Sequence, residues 1–219
     1  MRVWQTISTP TIGRHLHKRA YAALVLSGCY EEAGDSGRHR VQAGDVVLHA
    51  PFEAHLDRFP ASGAAILNVP LPAHGAFRSG VARVNDPDEV VRLVEEGDTQ
   101  AASLLLWSAE MRQREFHDWP DELAMSLAQD ASVSLGYWSK TKGIAPWELS
   151  RGFAKVFGIS PSAFRARARA RQALKAIRTA DTPLSAIAAH YGFADQAHMT
   201  RSVKNLTGTC PSSWRSGCK

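Results

Sequence analysis

Two arginines occupy equivalent places in two similar stretches of this chain, and two histidines stand two residues apart near its beginning. Leu149-Ser150-Arg151-Gly152-Phe153 through Gly158 aligns with Met199-Thr200-Arg201-Ser202-Val203 through Gly208 at an offset of 50 residues. A guanidinium donates two parallel N–H bonds to the acceptor edge of guanine, so an exposed arginine repeated in this way is suited to reading base edges in a major groove. A salt bridge or a phosphate contact is the plainer use of the same side chain. His15 and His17, at i and i+2, project from one side of any strand that carries them. Convergent imidazoles can hold a divalent metal such as zinc, iron, manganese or copper. The three cysteines, Cys29, Cys210 and Cys218, have no short metal-type or redox-type spacing. They read as incidental thiols, with a redox pair of Cys210 and Cys218 as the weaker alternative.

The repeat itself predicts the elements that would present the arginines. In both copies apolar residues recur at i, i+4 and i+7 (Leu149/Phe153/Val156 and Met199/Val203/Leu206), which makes one buried helical face and puts Arg151 and Arg201 opposite it. Each helix stops at a glycine suited to the left-handed cap. Ahead of each lies a shorter helical pattern ending in a glycine turn, Leu135 to Gly143 and Leu184 to Gly192, giving the order of a helix-turn-helix twice. Between the copies Ser160-Pro161 opens a helix that runs to about Thr179. That helix reads as a spacer, roughly 27 Å long at 1.5 Å per residue, against about 34 Å between successive major-groove faces. Arg165, Arg167, Arg169 and Arg171 alternate with alanine along it, which predicts a mostly solvated surface.

The first part of the chain has a different texture. Ala20 to Ser27 is apolar and Gly28 closes it, residues 31–38 read as a polar turn region, and Val46 to His49 and Ala64 to Val69 are β-prone. These short strands predict a small β-sandwich or barrel. Asp86-Pro87 opens a helix through Val90, Val91, Leu93 and Val94 to Gly97, and a second carries Ala101, Leu104, Leu105 and Met111 on one side. Both either pack on the β-domain or pair with a second subunit. Trp119-Pro120-Asp121 marks a boundary, because proline and acidic residues fit a first helical turn. The resulting division is 1–85, 86–118 as linker or dimerisation helices, and 119–219.

At 44% hydrophobic and 21% charged over 219 residues, the composition is that of a globular protein. Residues 1–119 carry a net charge of −3 and residues 120–219 a net charge of +8. The second half therefore wants an anionic partner, and the helical repeat within it favours nucleic acid over a membrane surface or mere solubility. No early stretch has the pattern of a signal peptide and no apolar run reaches spanning length, so the protein is expected in the cytoplasm.

From about Trp119 to Trp214 the chain resembles the AraC/XylS family of transcription regulators. The residues that carry the resemblance are Leu149-Ser150-Arg151-Gly152-Phe153, Gly158-Ile159-Ser160-Pro161, Ile187-Ala188, Tyr191-Gly192-Phe193-Ala194-Asp195, Met199-Thr200-Arg201 and Gly208-Thr209-Cys210-Pro211. Met199, Val203 and the Trp138-Ser139-Lys140 stretch depart from the family's usual core residues. By position, the resemblance implies that Trp147, Ser150 and Arg151 in the first helix and Gln196, Thr200 and Arg201 in the second face double-stranded DNA. Glu148 and His198 stand beside them. It also implies a homodimer, contact with RNA polymerase and an effector-sensing first domain.

That first domain is similar to the cupin β-barrels. His15-Leu16-His17, then Tyr21 and Gly28, follow the superfamily's first motif, and Gly44-Asp45 leads to His55 at the spacing of its further histidine. Tyr21 stands where metal-binding cupins place a glutamate. The similarity implies metal ligation by His15, His17 and His55, with His49 and Tyr21 as further contributors; the alternative is a pocket for a small organic effector with these side chains as polar contacts. The fold expected is thus α+β: a cupin-like β-barrel, helices, and an all-α domain with two helix-turn-helix units joined by a long helix. The function expected is a ligand-controlled, sequence-specific DNA-binding regulator and not an enzyme. A metal-dependent cupin dioxygenase or isomerase with a DNA-binding tail is the alternative, weakened because no acid–base pair stands out. Non-specific DNA coating would need charge but not two differing reading helices.

Overall fold

The computed structural model describes residues 3–72, 79–113, 116–130 and 132–216. It consists of two compact units, Met1–His117 and Asp118–Lys219. Cys218, one half of the considered redox pair, lies outside the described residues.

The first unit contains β1 (Gln5–Ile7), β2 (Thr11–Leu16), β3 (Tyr21–Gly34), β4 (Gly37–Gln42), β5 (Asp45–His49), β6 (Ala54–Arg58), β7 (Ala64–Pro70), β8 (Gly80–Arg83), α1 (Pro87–Glu95), α2 (Thr99–Ser108) and β9 (Glu110–Met111). Its strands pair antiparallel, and β3 belongs to two sets of partners. Tyr21 to Gly28 pairs with β7 and, over its first four residues, with β5, whereas Cys29 to Gly34 pairs with β4 and, from Glu31 onward, with β6. One half of the sheet therefore runs β1-β7-β3-β5-β8-β9, and the other joins β2, β6 and β4 through the end of β3.

The switch between partners happens at a bulge. The register shifts between Val25 and Ser27, and Gly28 follows with φ +76°. A Cβ on Gly28 would stand 2.2 Å from the Gly63 carbonyl oxygen, so the strands approach this closely only because residue 28 lacks a side chain. The bulge also changes the parity of the strand. Tyr21, Ala23 and Val25 before it and Tyr30, Glu32 and Gly34 after it line the same inner face. Gly28 was expected to close the strand and residues 31–38 to form a turn; instead the strand continues, and the turn shrinks to Asp35-Ser36 between Gly34 and Gly37.

Ala23, Val25, Tyr30, Val41, Val47, Phe59, Ile66 and Val81 fill the space between the two halves. The opposite face of the β5–β3–β7 half buries Leu24, Leu48, Leu67 and Val69 beneath Val90 of α1 and Ala102 and Leu106 of α2. Each fully buried leucine or valine among them contributes roughly 1.5–3 kcal/mol. Both helices start at aspartates: Asp86 accepts a hydrogen bond from the Glu89 amide and Asp98 from the Ala101 amide.

The second unit is helical throughout its described residues: α3 (Trp119–Gln129), α4 (Leu135–Lys142), α5 (Pro146–Phe157), α6 (Pro161–Thr179), α7 (Leu184–His190), α8 (Gln196–Thr207) and α9 (Pro211–Ser216). Ser160 caps α6 by accepting from the Ala163 amide. The expected spacer is also the hub, because α6 touches α3, α5, α7, α8 and α9 and buries Phe164, Ala170, Ala173, Leu174 and Ile177. Among the described residues, no helix is long and apolar enough to cross a membrane.

Candidate nucleic-acid interface and histidine cluster

The inner face of the first unit is apolar at one end and titratable at the other. His15 stands directly opposite His55 across the β2–β6 pair, and their ring centroids are 4.3 Å apart. His17 lies 4.8 Å from the His15 ring and 5.4 Å from that of His55. From the other half of the sheet come Tyr21 and His49, cross-strand partners whose rings stack at 4.5 Å. His49 and His55 are also 4.5 Å apart. One ligand atom from each of His15, His17 and His55 falls within a 4.8 Å set, and the same holds for Glu32, His49 and His55.

Glu32 and Asp57 are the residues that sequence reasoning missed. They face each other across β3 and β6 and are 0% and 5% exposed. The Glu32 carboxylate comes within 3.4 Å of both His49 Nε2 and His55 Nδ1, and Asp57 Oδ1 is 2.9 Å from His55 Nδ1. His39, opposite Glu32 on β4, is buried as well. The available signal was the alternation Tyr30, Glu32, Gly34, which is a strand pattern once Gly28 is allowed to sit in a bulge.

Burial dominates the electrostatics of this cluster. It pushes Glu32 up to about 8, aided by Asp57 and Glu53 and opposed by His55. It pulls His17 down to about 4, with the His55 and His15 charges acting the same way, and lowers His49 well below the usual imidazole range. At His55 burial opposes protonation, yet Glu32 and the hydrogen bond to Asp57 raise its affinity for a proton. Tyr21, whose Oη is 3.0 Å from His55 Nε2, is shifted upward by burial and by the surrounding carboxylates.

In the second unit α4–α5 and α7–α8 form the two helix-turn-helix pairs, with Gly143 and Gly192 in the left-handed conformation at the turns. Gly158 and Gly208 cap α5 and α8 in the same conformation. The buried faces are Leu149, Phe153 and Phe157 on α5 and Met199, Val203, Leu206 and Thr207 on α8. Phe157 rather than Val156 completes the first face, since Phe157 stacks on Phe153 at 4.7 Å and meets Phe164 of α6 edge-on. Thr207 occupies the equivalent place in the second copy. Its Oγ1 donates to the Val203 carbonyl at 2.9 Å and accepts from the Thr209 amide at 3.1 Å and from Trp214 Nε1 at 3.3 Å.

Opposite these faces Trp147, Ser150 and Arg151 are exposed on α5, and Gln196 and Arg201 are exposed on α8 with Thr200 half-buried. Trp147, at 65% exposure, is a large apolar side chain left in water at the start of a helix. The Arg151 guanidinium lies 5.9 Å from its ring centre, so the two present one combined surface. Asp195 starts α8 by accepting from the His198 amide, which leaves Gln196 in the first, outward-facing turn.

Residues 138–217 match the model of a helix-turn-helix domain. Over 76 residues the chain is 34% identical to the arabinose operon regulatory proteins of Salmonella typhimurium and Escherichia coli, a match covering 35% of this chain. Residues 138–217 are an AraC-type helix-turn-helix domain. The match spans about a quarter of the length of those curated relatives, 27% and 26%. A probable AraC family transcriptional regulator from Rhodopseudomonas palustris is similar in structure, with TM-score 0.41 and 21% identity over 44% of this chain and 94% of that one.

Within the AraC-type domain two of the alternating arginines on α6, both half-buried, are tied to backbone carbonyls. Arg165 donates to the Val133 carbonyl at 2.9 Å, and Arg169 donates to the Gly192 carbonyl at 2.9 Å while lying 5.6 Å from the Phe193 ring centre. Arg169 thereby ties the hub helix to the turn of the second helix-turn-helix. Alternation with alanine could not reveal this, because both acceptors are backbone atoms brought near only by packing.

Proposed function

We propose that this chain is a sequence-specific, DNA-binding transcription regulator of AraC type. The single observation that supports it most is the pairing of α5 and α8, which bury equivalent faces 50 residues apart and present different exposed side chains, Trp147-Ser150-Arg151 and Gln196-Thr200-Arg201. Arginine and glutamine form paired hydrogen bonds with guanine and adenine edges, hydroxyls reach bases or phosphates, and the indole covers a thymine methyl or a sugar. A net charge of +8 over residues 120–219 favours encounter with the phosphate backbone.

In this reading the first unit is a cupin-like sensing domain. Its ligand, a small organic effector or a divalent ion, binds among His15, His17 and His55, with Tyr21 and His49 as further contacts. Control is a population shift: the ligand favours one arrangement of the protein over another in proportion to its differential affinity. The chain acts as a homodimer, placing its paired helices on repeated half-sites and meeting RNA polymerase from the promoter.

The test is selection of binding sites from genomic DNA by the purified full-length chain. The expected result is enrichment of one motif with two recognition blocks, one lost on substituting Arg151 and the other on substituting Arg201. Retention of random DNA as strongly as selected DNA would remove sequence-specific regulation and leave non-specific coating.

A further inference from the structure

Resemblance gives His15, His17 and His55 as metal ligands with His49 and Tyr21 as further contributors and leaves Glu32 out, yet Glu32, His49 and His55 form a second and more deeply buried set. We propose that Glu32, His49 and His55 constitute a binding site for a divalent first-row transition ion. The inference rests on the sensing reading of the first unit, puts this set in place of His15, His17 and His55 as the holder of an ion, and is independent of how the second unit meets DNA.

Geometry carries it first. Ligand atoms bonded tetrahedrally at roughly 2.0–2.2 Å lie about 3.4 Å from one another. His49 Nε2 and His55 Nδ1 are each 3.4 Å from Glu32 Oε2, too long for good hydrogen bonds and the right length for two edges of such a tetrahedron. The three side chains come from β3, β5 and β6, so the backbone of both halves of the sheet fixes their spacing.

Unmet hydrogen bonding points the same way. His49 Nε2 is buried without a hydrogen-bond partner among the described residues, a condition that folded proteins rarely tolerate, while the equally buried Glu32 carboxylate accepts a hydrogen bond from the Tyr30 hydroxyl. Glu32 is 0% and His49 2% exposed, and among the described residues the groups forming an ion pair with Glu32 are imidazoles. A cation would give His49 Nε2 the partner it lacks and balance the charge of the buried carboxylate. Two neutral nitrogens and one carboxylate suit zinc, iron, manganese or cobalt, whereas calcium and magnesium prefer all-oxygen sites.

The surroundings are arranged for this role. Tyr21 Oη can accept the proton on His55 Nε2 at 3.0 Å, which leaves the Nδ1 lone pair directed to the site. Asp57 Oδ1, 2.9 Å from Nδ1, holds the ring when that nitrogen is protonated, and an ion displaces this hydrogen bond. Gly34 supplies the space: a Cβ there would stand 3.0 Å from His55 Cβ and 3.6 Å from Glu32 Oε1.

The experiment titrates the chelator-stripped, full-length chain with Co(II) in the absence of DNA, reading visible d–d absorption, with Zn(II) in competition. Glu32→Gln and His49→Gln are each expected to lose at least about tenfold in affinity, while His15→Gln and His17→Gln stay within about twofold of the parent. Circular dichroism establishes that each variant is folded. Independently of any variant, the Co(II) complex of the parent protein should show paramagnetically shifted ring N–H signals from two histidines. Three such signals, loss of binding through His15 or His17 with Glu32→Gln unaffected, or no Co(II) binding by the parent overturns the inference. Failed DNA selection alongside intact Co(II) binding would remove the regulator reading and leave this site standing.

Discussion

The indole of Trp119 lies against the backbone of Gly152, so closely that a Cβ on residue 152 would stand 2.5 Å from Trp119 Cζ2 and 2.8 Å from Cη2. The first helix of the second unit, α3, thus seats its indole against α5, next to Arg151. Gly152→Ala adds helix propensity worth about 1 kcal/mol but overpacks this contact at a cost of about 1–3 kcal/mol. The expected outcome is a net loss of stability in urea denaturation, recovered in the double variant with Trp119→Leu, which opens the space. Additive losses in that double-mutant cycle would show that the two residues do not interact.

Arg151→Ala and Arg201→Ala should each cost about 1–3 kcal/mol on the selected DNA site and relax base preference in different blocks. Competition binding against single-base variants of that site measures both effects. Equal losses on every sequence would make these arginines phosphate contacts, with the salt slope falling by about 1 for each.

Thr207→Val keeps the shape of a buried side chain and removes the oxygen that serves Val203, Thr209 and Trp214. Leaving the Thr209 amide and Trp214 Nε1 without that acceptor should cost about 1–3 kcal/mol, read as a lower urea midpoint with an unchanged m-value. The Trp214 indole N–H resonance should shift with it in NMR spectra, reporting loss of its hydrogen bond to Thr207 Oγ1.

The histidine cluster makes the stability of metal-free protein depend on pH in two opposing ways. His17 titrates at about 4 in the folded chain against about 6.5 unfolded, so its contribution is full above pH 6.5 and disappears as pH falls toward 4. Glu32, raised to about 8 from 4.5, contributes below pH 4.5 and loses that contribution as pH rises through 8. In the presence of chelator His17→Gln should therefore gain on the parent as pH drops from 6.5 to 4. Glu32→Gln should gain on it as pH climbs from 4.5 to 8. Thermal melts across that range measure both, and parallel curves for parent and variants would refute the assignment.

The amino-acid order alone determined the helical second half. Leu149/Phe153 and Met199/Val203 recur with the helical period, and Gly158, Gly208 and the Ser160-Pro161 pair mark ends whose dihedral and capping demands are local. The exposure of Arg151 and Arg201 followed from the same periodicity, and the nearness of His15 to His17 from their two-residue spacing, although β2 itself ends at Leu16. Glu32, Asp57, the double service of β3 and the carbonyl contacts of Arg165 and Arg169 were decided only by the tertiary structure. Each depends on atoms distant in the chain: the close approach of Gly28 to Gly63 that permits the bulge, the register that sets Glu32 against Asp57, and the packing that brings Gly192 to Arg169. A glycine within an apolar run reads as an end until the neighbouring strand is in place. A carboxylate among small polar residues reads as a turn until the sheet folds over it. Local periodicity encodes which face of an element is buried, whereas the partner buried against that face is settled by long-range strand register and helix packing.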